Sequence, residues 1–129
     1  MRHLTVVLAA LCIVFGLSGR GDSAFSPILP VHTVATTTYT FSLNDCGVQY
    51  SSVYFTSSSA VTATVPNTLP PGCILNIFQG GTGQVGFAGG GGTITPVNSH
   101  SYTKTYGQNA GVSVQVITSS SAIMVGDGM

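Results

Sequence analysis

Apolar and polar residues alternate along most of the chain after Thr36. The alternation is clearest in Tyr39-Thr40-Phe41, in residues 61–65 and in residues 112–116, where every second residue is apolar. A period of two places alternate side chains on opposite faces of a strand, so these segments are predicted to be half-buried β-strands. No segment after Leu17 has the spacing of an amphipathic helix. The pattern therefore predicts a β-rich fold.

Further short apolar segments are bounded by Gly, Pro, Asn or Ser, which commonly terminate strands. These segments are residues 48–55, 73–79, 84–88, 92–95 and 122–125. Together they predict about eight or nine short strands with no helices between them. Such an arrangement is typical of sandwiches and barrels, so the predicted fold class is an all-β antiparallel sandwich or barrel-like domain. No internal repeat is evident in the residues.

The chain begins with a hydrophobic leader. Met1-Arg2-His3 precede an uncharged run over residues 4–17, and small residues offer cleavage after Ser18 or Ala24. A helix of this run would reach only about 21 Å, short of the ~30 Å hydrocarbon core of a bilayer. Residues 1–24 are therefore predicted to be a secretory signal peptide, with a retained hydrophobic anchor as the alternative.

Two prolines divide the leader from the rest of the chain. Pro27 and Pro30 lack a backbone donor and have a restricted φ, so residues 25–35 are predicted to form an extended arm or linker. Residues 36–129 then form a single β domain, which is an ordinary length for one domain.

Charged residues are scarce. The 129 residues include three Lys+Arg and three Asp+Glu, and the net charge is zero. A nucleic-acid-binding protein clusters Lys and Arg on one face, so DNA and RNA are not expected partners. The chain has no Glu, and His32, His100, Asp45 and Asp127 do not have the spacing of metal ligands. No metal site and no catalytic residues are predicted, and a hydrolase would need both aspartates close together.

One glycine-rich segment matches a cofactor motif. Gly81-Thr82-Gly83-Gln84-Val85-Gly86 has the spacing of a dinucleotide-binding turn. That turn requires a following helix and an acidic residue ~20 positions later, and here Gly89-Gly90-Gly91-Gly92 follows instead. We therefore expect no cofactor, and we expect these glycines to permit tight turns and close backbone approach.

Two cysteines remain after the leader. Cys46 and Cys73 are a candidate disulfide in an oxidising compartment, where a bridge would contribute roughly 3–4 kcal/mol. The alternative is a pair of buried reduced thiols that pack as small apolar groups.

Several blocks of the chain, in order, resemble a β domain of bacteriophage virion appendages. They are residues 39–47, 60–66, 71–88 and 106–117, and the closing Val125-Gly126-Asp127. The ending has Ile123-Met124 where members of that family have an aromatic residue. The resemblance implies a non-enzymatic, tail-fibre-like structural protein, commonly trimeric, that decorates the particle or contacts the host surface. Its location would be the virion, or the extracellular space after export through the leader.

Tyrosine and serine cluster near the start of the block over residues 106–117. His100, Tyr102, Lys104 and Tyr106 are predicted to contact a host glycan by stacking and hydrogen bonding. Few strands carry a Lys that would block edge pairing, so a closed homotrimer is expected, together with other virion or surface proteins as neighbours. The alternative function is a secreted bacterial surface or pilus-like structural protein, which the leader and the cysteine pair favour.

Overall fold

The computed structural model describes residues 28–129, so the predicted leader over residues 1–24 lies outside the described part. Within residues 28–129 there are nine strands, one 3₁₀ turn at Leu43–Asp45 and no α-helix. The strands are β1 (Val31–Val34), β2 (Thr38–Thr40), β3 (Ser52–Phe55), β4 (Val61–Pro66), β5 (Ile74–Gln79), β6 (Val85–Phe87), β7 (Thr93–Ile94), β8 (Gly111–Thr118) and β9 (Ser121–Gly126). The predicted β-rich character is confirmed.

The strands form two sheets. The five-stranded sheet has the order β1-β3-β5-β8-β9, and the second sheet has the order β2-β4-β6. The short strand β7 pairs with the last residues of β4. As far as β6, the chain passes to the other sheet after every strand, so each sheet contains every second strand.

The predicted antiparallel arrangement is wrong. β1, β3 and β5 are parallel to one another, and so are β2, β4 and β6. Antiparallel pairing joins β5 to β8, β8 to β9 and β4 to β7. The physical reason is the path of the chain. A strand in one sheet is followed by a strand in the other, and this return brings the chain back to start the next strand in the same direction.

The alternation between sheets builds a repeated coil. Thr38 pairs with Thr62, Val53 with Ile77 and Val61 with Val85, and the sequence interval is the same in each pair. These strands therefore stack in register from one coil to the next, whereas β1 pairs with β3 at a shorter interval. Between residues 38–55 and 62–79 few stacked positions share residue type, Thr38 with Thr62 and Thr40 with Thr64 being two that do, so no repeat is evident in the sequence.

The hydrophobic core lies between the two sheets. Its fully buried members include Phe41 and Phe55, and aliphatic residues from both sheets pack around them: Val53, Val61, Val65, Leu75, Ile77, Val85, Ile94, Val112, Val114 and Val116. Alternate residues of β4, β5 and β8 are buried, as a period of two predicts. The alternation was thus a correct guide to which residues are buried, although not to strand direction.

Two polar side chains are fully buried in this core. Gln79 and Thr105 hydrogen bond to each other through their side chains. Gln79 Nε2 also donates to the Gly81 carbonyl at 3.0 Å, and Thr105 Oγ1 accepts the backbone N–H of Val85 at 2.9 Å. Because every polar atom has a partner, the pair is buried without the cost of an unsatisfied group.

The glycine-rich segment after β5 packs against the turn that follows β3. A Cβ on Gly83 would lie 1.9 Å from the Ser59 carbonyl oxygen, and one on Gly81 would lie 2.0 Å from that of Ser57. Both positions therefore require glycine because two backbones touch there. This close approach accounts for the glycines at positions 81 and 83.

Strand pairing and a disulfide connect the first strands of the domain to β3 and β5. β1 lies inside the segment expected to be an arm, and it pairs in parallel with β3 over its whole length. Cys46 and Cys73 form a disulfide, with Cα atoms 5.0 Å apart, between the turn after β2 and the residue before β5. No helix within residues 28–129 is long and apolar enough to cross a membrane.

Candidate functional site

The loop between β7 and β8 carries the aromatic residues of the candidate site. Asn98 organises this loop because its side-chain oxygen accepts the backbone N–H groups of His100, at 3.0 Å, and Tyr102, at 2.9 Å. Its side-chain nitrogen also donates to the Tyr102 carbonyl at 2.8 Å. The side chain of Asn98 thus binds the backbone of both His100 and Tyr102 and holds these two aromatic residues in place.

The aromatic rings of this loop pack against each other and against Gly128. The rings of His100 and Tyr102 stack with centroids 5.0 Å apart. Tyr102 also packs against Gly128, where a Cβ would lie 3.0 Å from the tyrosine side chain. Tyr102 is half-buried and fixed, whereas His100 is exposed, so the pair presents a small aromatic platform to solvent.

Three adjoining cavities share Tyr102. The largest, about 480 Å³, is lined by Tyr102, Tyr106, Gln108, Asn109, Ala110, Gly126, Asp127 and Gly128. The second, about 420 Å³, lies on the side of His100 and is lined by Asn98, Ser99, His100, Tyr102, Ile123, Met124, Val125 and Gly126. The third, about 210 Å³, is lined by residues 95–98 and 101–103. We call the surface formed by these three cavities the Tyr102 surface.

Backbone hydrogen bonds hold the two sides of the largest cavity together. The backbone N–H of Tyr106 donates to the Asp127 carbonyl at 2.8 Å, and that of Asp127 donates to the Gly111 carbonyl at 2.9 Å. Asn109 has a positive φ of 68°, and its backbone N–H donates to the Gln79 carbonyl at 2.7 Å. The amides and the carboxylate that line this cavity are therefore placed by the β-scaffold rather than by a free loop.

The chemistry of the Tyr102 surface suits a neutral, polar ligand. Aromatic rings offer flat apolar faces, while Gln108 and Asn109 offer amide donors and acceptors. Asp127 adds one carboxylate that accepts hydrogen bonds from hydroxyl groups. This mixture of stacking faces and uncharged hydrogen-bonding groups is what a carbohydrate requires.

The predicted glycan residues do not all lie at one place. Tyr102 and Tyr106 line the largest cavity, and Tyr102 and His100 line the second. Lys104 lines none of the three and instead forms a backbone bridge with Gly86 beside the second sheet. Three polar residues that line the largest cavity, Gln108, Asn109 and Asp127, are not among the predicted glycan contacts. Their only signal was their membership of the two blocks that carried the resemblance.

A second polar cluster surrounds Asp45, which is 1% exposed. Its Oδ2 accepts the Tyr39 hydroxyl at 2.9 Å and the backbone N–H of Ser42 at 2.8 Å, and its Oδ1 lies 3.1 Å from His32 Nδ1. The His32 ring stacks on Tyr50 with centroids 4.4 Å apart. β1, β2 and the 3₁₀ turn therefore meet at one buried carboxylate, and Tyr50 packs on the outer ring of this cluster.

This cluster joins β1 and β2, the two strands of the first coil, through hydrogen bonds to Asp45. The pKa of the Tyr39 hydroxyl is raised above its ordinary value, chiefly by burial and secondly by the hydrogen bond to Asp45. The hydroxyl therefore remains neutral and acts as a donor. Nothing in the sequence indicated that His32 would pair with Asp45. The two aspartates occupy different surroundings, since Asp45 is buried in this cluster and Asp127 lines a cavity with Tyr102.

Metal ligands do not cluster in the described part of the chain. Within residues 28–129, no group of three or more His, Cys, Asp or Glu side chains is arranged to hold a metal ion. Comparison of this chain with protein-family models, with curated proteins and with solved structures gave no match.

Proposed function

We propose that this chain is a non-enzymatic structural protein of a virion appendage, similar to a tail-fibre domain, and that its Tyr102 surface binds glycans of a host surface. The observation that carries the proposal is the position of Tyr102 at the junction of three cavities, with Tyr106 and His100 beside it. The sequence resemblance to virion appendage domains supplies the biological setting.

The shape of the Tyr102 surface supports an extended ligand. Its cavities adjoin one another through a shared residue, so a chain of two or three sugars can occupy them in succession. Sugar rings have an apolar face that stacks on aromatic rings and hydroxyl groups that bind amides and carboxylates. Tyr106 is 69% exposed and thus accessible for stacking at the rim of the largest cavity.

A glycan array tests this proposal. The full chain is applied to the array, and the affinity for each bound glycan is then measured for Tyr102→Ala and Tyr106→Ala. A stacking contact contributes about 0.5–1.5 kcal/mol, so we expect each replacement to weaken binding by roughly two- to tenfold or more. Tyr50→Ala is the control, because Tyr50 stacks on His32 in the other cluster. Binding that survives both replacements, or a wild-type chain that binds no glycan, would overturn the glycan proposal.

The disulfide favours a second setting, a secreted bacterial surface or pilus-like structural protein. Bridges such as Cys46–Cys73 persist in oxidising compartments and are rare in the reducing cytoplasm where tails assemble. Export through residues 1–24 would supply that compartment. Fractionation separates the two settings, because the chain copurifies with particles in the first case and with the cell surface or medium in the second.

We expect the chain to act as a homotrimer in either setting. Within residues 28–129 the strongly charged side chains are Lys104, Asp45 and Asp127. Subunits with so few charges associate without the desolvation cost of buried ion pairs. Closed symmetry would also cover the edge strands β1 and β2, which carry no lysine.

A further inference from the structure

Asp127 is the one acidic residue among those that line the Tyr102 surface, and no Lys or Arg lines it. Lys104, the single Lys or Arg within residues 28–129, forms its backbone bridge beside β6 and lines none of the three cavities. Asp127 makes no ion pair with any residue that the structure describes, since the pair found there joins His32 to Asp45. The largest cavity therefore contains one carboxylate whose charge the protein does not balance.

The backbone donors around this carboxylate are already used. The N–H groups of Tyr106, Asn109 and Asp127 all donate to carbonyl groups of the protein. Gln108 Nε2 donates to the Gly80 carbonyl at 3.0 Å, which leaves Gln108 Oε1 to act as an acceptor. Together with the two carboxylate oxygens of Asp127, this gives the cavity an excess of acceptors. A ligand group that donates hydrogen bonds therefore finds more partners here than a group that accepts them.

An ammonium group matches both the charge and the hydrogen-bonding capacity of this cavity, because it carries three donors, no acceptor and a positive charge. Tyr102 and Tyr106 line the same cavity, and aromatic faces attract cations as well as stacking on sugar rings. A hydroxyl group also donates to a carboxylate, but it leaves the charge of Asp127 unbalanced. A sugar carboxylate would meet a like charge with no Lys or Arg beside it, so acidic sugars are disfavoured.

We propose that the largest cavity of the Tyr102 surface binds an amino sugar, with its ammonium group against the Asp127 carboxylate and its ring stacked on Tyr106. The second and third cavities have no acidic or basic Asp, Lys or Arg in their lining, so they suit neutral sugars of the same glycan. This amino-sugar site rests on the proposed glycan binding and narrows it, from polar sugars in general to a glycan with a free amine at one position.

A charge series on one oligosaccharide tests this site. Glucosamine oligomers with free amines are compared with the same oligomers after N-acetylation, which makes them neutral, and after N-succinylation, which makes them acidic. Their affinities for the full chain are measured by isothermal titration calorimetry at about pH 6, where amines are protonated. The amine form should bind about fivefold more tightly than the acetylated form, or better, and the succinylated form should bind most weakly. Equal affinities for the amine and acetylated forms, or tightest binding of the acidic form, would overturn the inference.

Two variants separate the charge of Asp127 from its shape. Asp127→Asn keeps the size of the side chain and should bring the affinities for the amine and acetylated forms to within about twofold of each other. Asp127→Glu is the matched control, because it keeps the carboxylate and should retain the preference for the amine. Asp127 is exposed and its backbone hydrogen bonds do not depend on the side chain, so both variants should fold. A preference that Asp127→Asn leaves intact would show that another group recognises the amine.

Salt and a competitor give readouts that need no substitution. Raising sodium chloride from about 0.05 M to about 0.5 M screens the charge pair, so the preference for the amine should shrink while the affinity for the acetylated form stays constant. Oligolysine carries amines without a sugar ring, and equal displacement by oligolysine would overturn the assignment to a sugar. The two proposals fail separately: a chain that binds acetylated sugars with no preference for the amine overturns only the amino-sugar site, whereas a chain that binds no glycan overturns the proposed glycan binding as well.

Discussion

The Cys46–Cys73 disulfide should contribute a large part of the stability of this small domain. It joins the turn after β2 to the residue before β5, so it ties one coil to the next. Cys73 is buried in the core and Cys46 packs against that core, so the bridge lies where the two sheets meet. Reduction of the bridge is therefore the perturbation that most directly tests how the coils are held together.

The expected magnitude follows from the length of the closed loop. The two cysteines are 27 positions apart, and closing a loop of this size removes about 3.5 kcal/mol of chain entropy from the unfolded state. For a domain of roughly 100 residues, each kcal/mol shifts the melting temperature by about 4–8 °C. Reduction should therefore lower the melting temperature by roughly 14–28 °C.

Urea unfolding of the oxidised and reduced wild type measures this effect without changing the sequence. The double variant Cys46→Ala/Cys73→Ala is the control, because its stability should not respond to reductant. Peptide mapping of the unreduced protein checks that the bridge is present. An unfolding free energy that changes by less than about 1 kcal/mol on reduction, or two free thiols in the purified protein, would refute the reasoning.

Three further predictions concern the Asp45 cluster and the glycine contacts. Asp45→Ala should lower the unfolding free energy by about 2–6 kcal/mol, because it leaves the Tyr39 hydroxyl and the Ser42 N–H without their acceptor. In the same urea titration, replacement of the exposed Asp127 by Ala should lower the unfolding free energy by less than about 0.5 kcal/mol. Stability should fall as pH rises above about 10, since the raised pKa of Tyr39 lets the unfolded phenol ionise first. Melting temperatures measured from pH 8 to 11 should fall less steeply for Tyr39→Phe, and equal slopes would contradict the assignment. Gly83→Ala should lower the unfolding free energy by more than about 3 kcal/mol, because its Cβ would meet a backbone oxygen. Gly91→Ala is the control, since a Cβ there meets nothing within 4 Å. If circular dichroism shows the same stability for both variants, the two backbones do not touch at Gly83.

Sequence reasoning could identify strands and burial because both depend on local pattern. The alternation in residues 61–65 and 112–116 marked β4 and β8, and their apolar positions are buried. Pro27 and Pro30 predicted an extended segment over residues 25–35, but they could not show that Val31–Val34 would pair with β3. Strand pairing depends on contacts between residues that are far apart in the sequence, and the pattern within one strand does not indicate which strand will pair with it.

Strand direction and the residues that meet at each site were decided only by the tertiary structure. An alternating pattern is the same in parallel and antiparallel strands, and the direction depends on whether the chain returns through a turn or through the other sheet. Likewise, Asp45 meets His32, and Asp127 lines a cavity with Tyr102, because coiling brings distant segments together. The sequence alone determined that this is a β-rich chain with few charges, a cysteine pair and an aromatic loop. The packing of successive coils then decided how those parts are arranged.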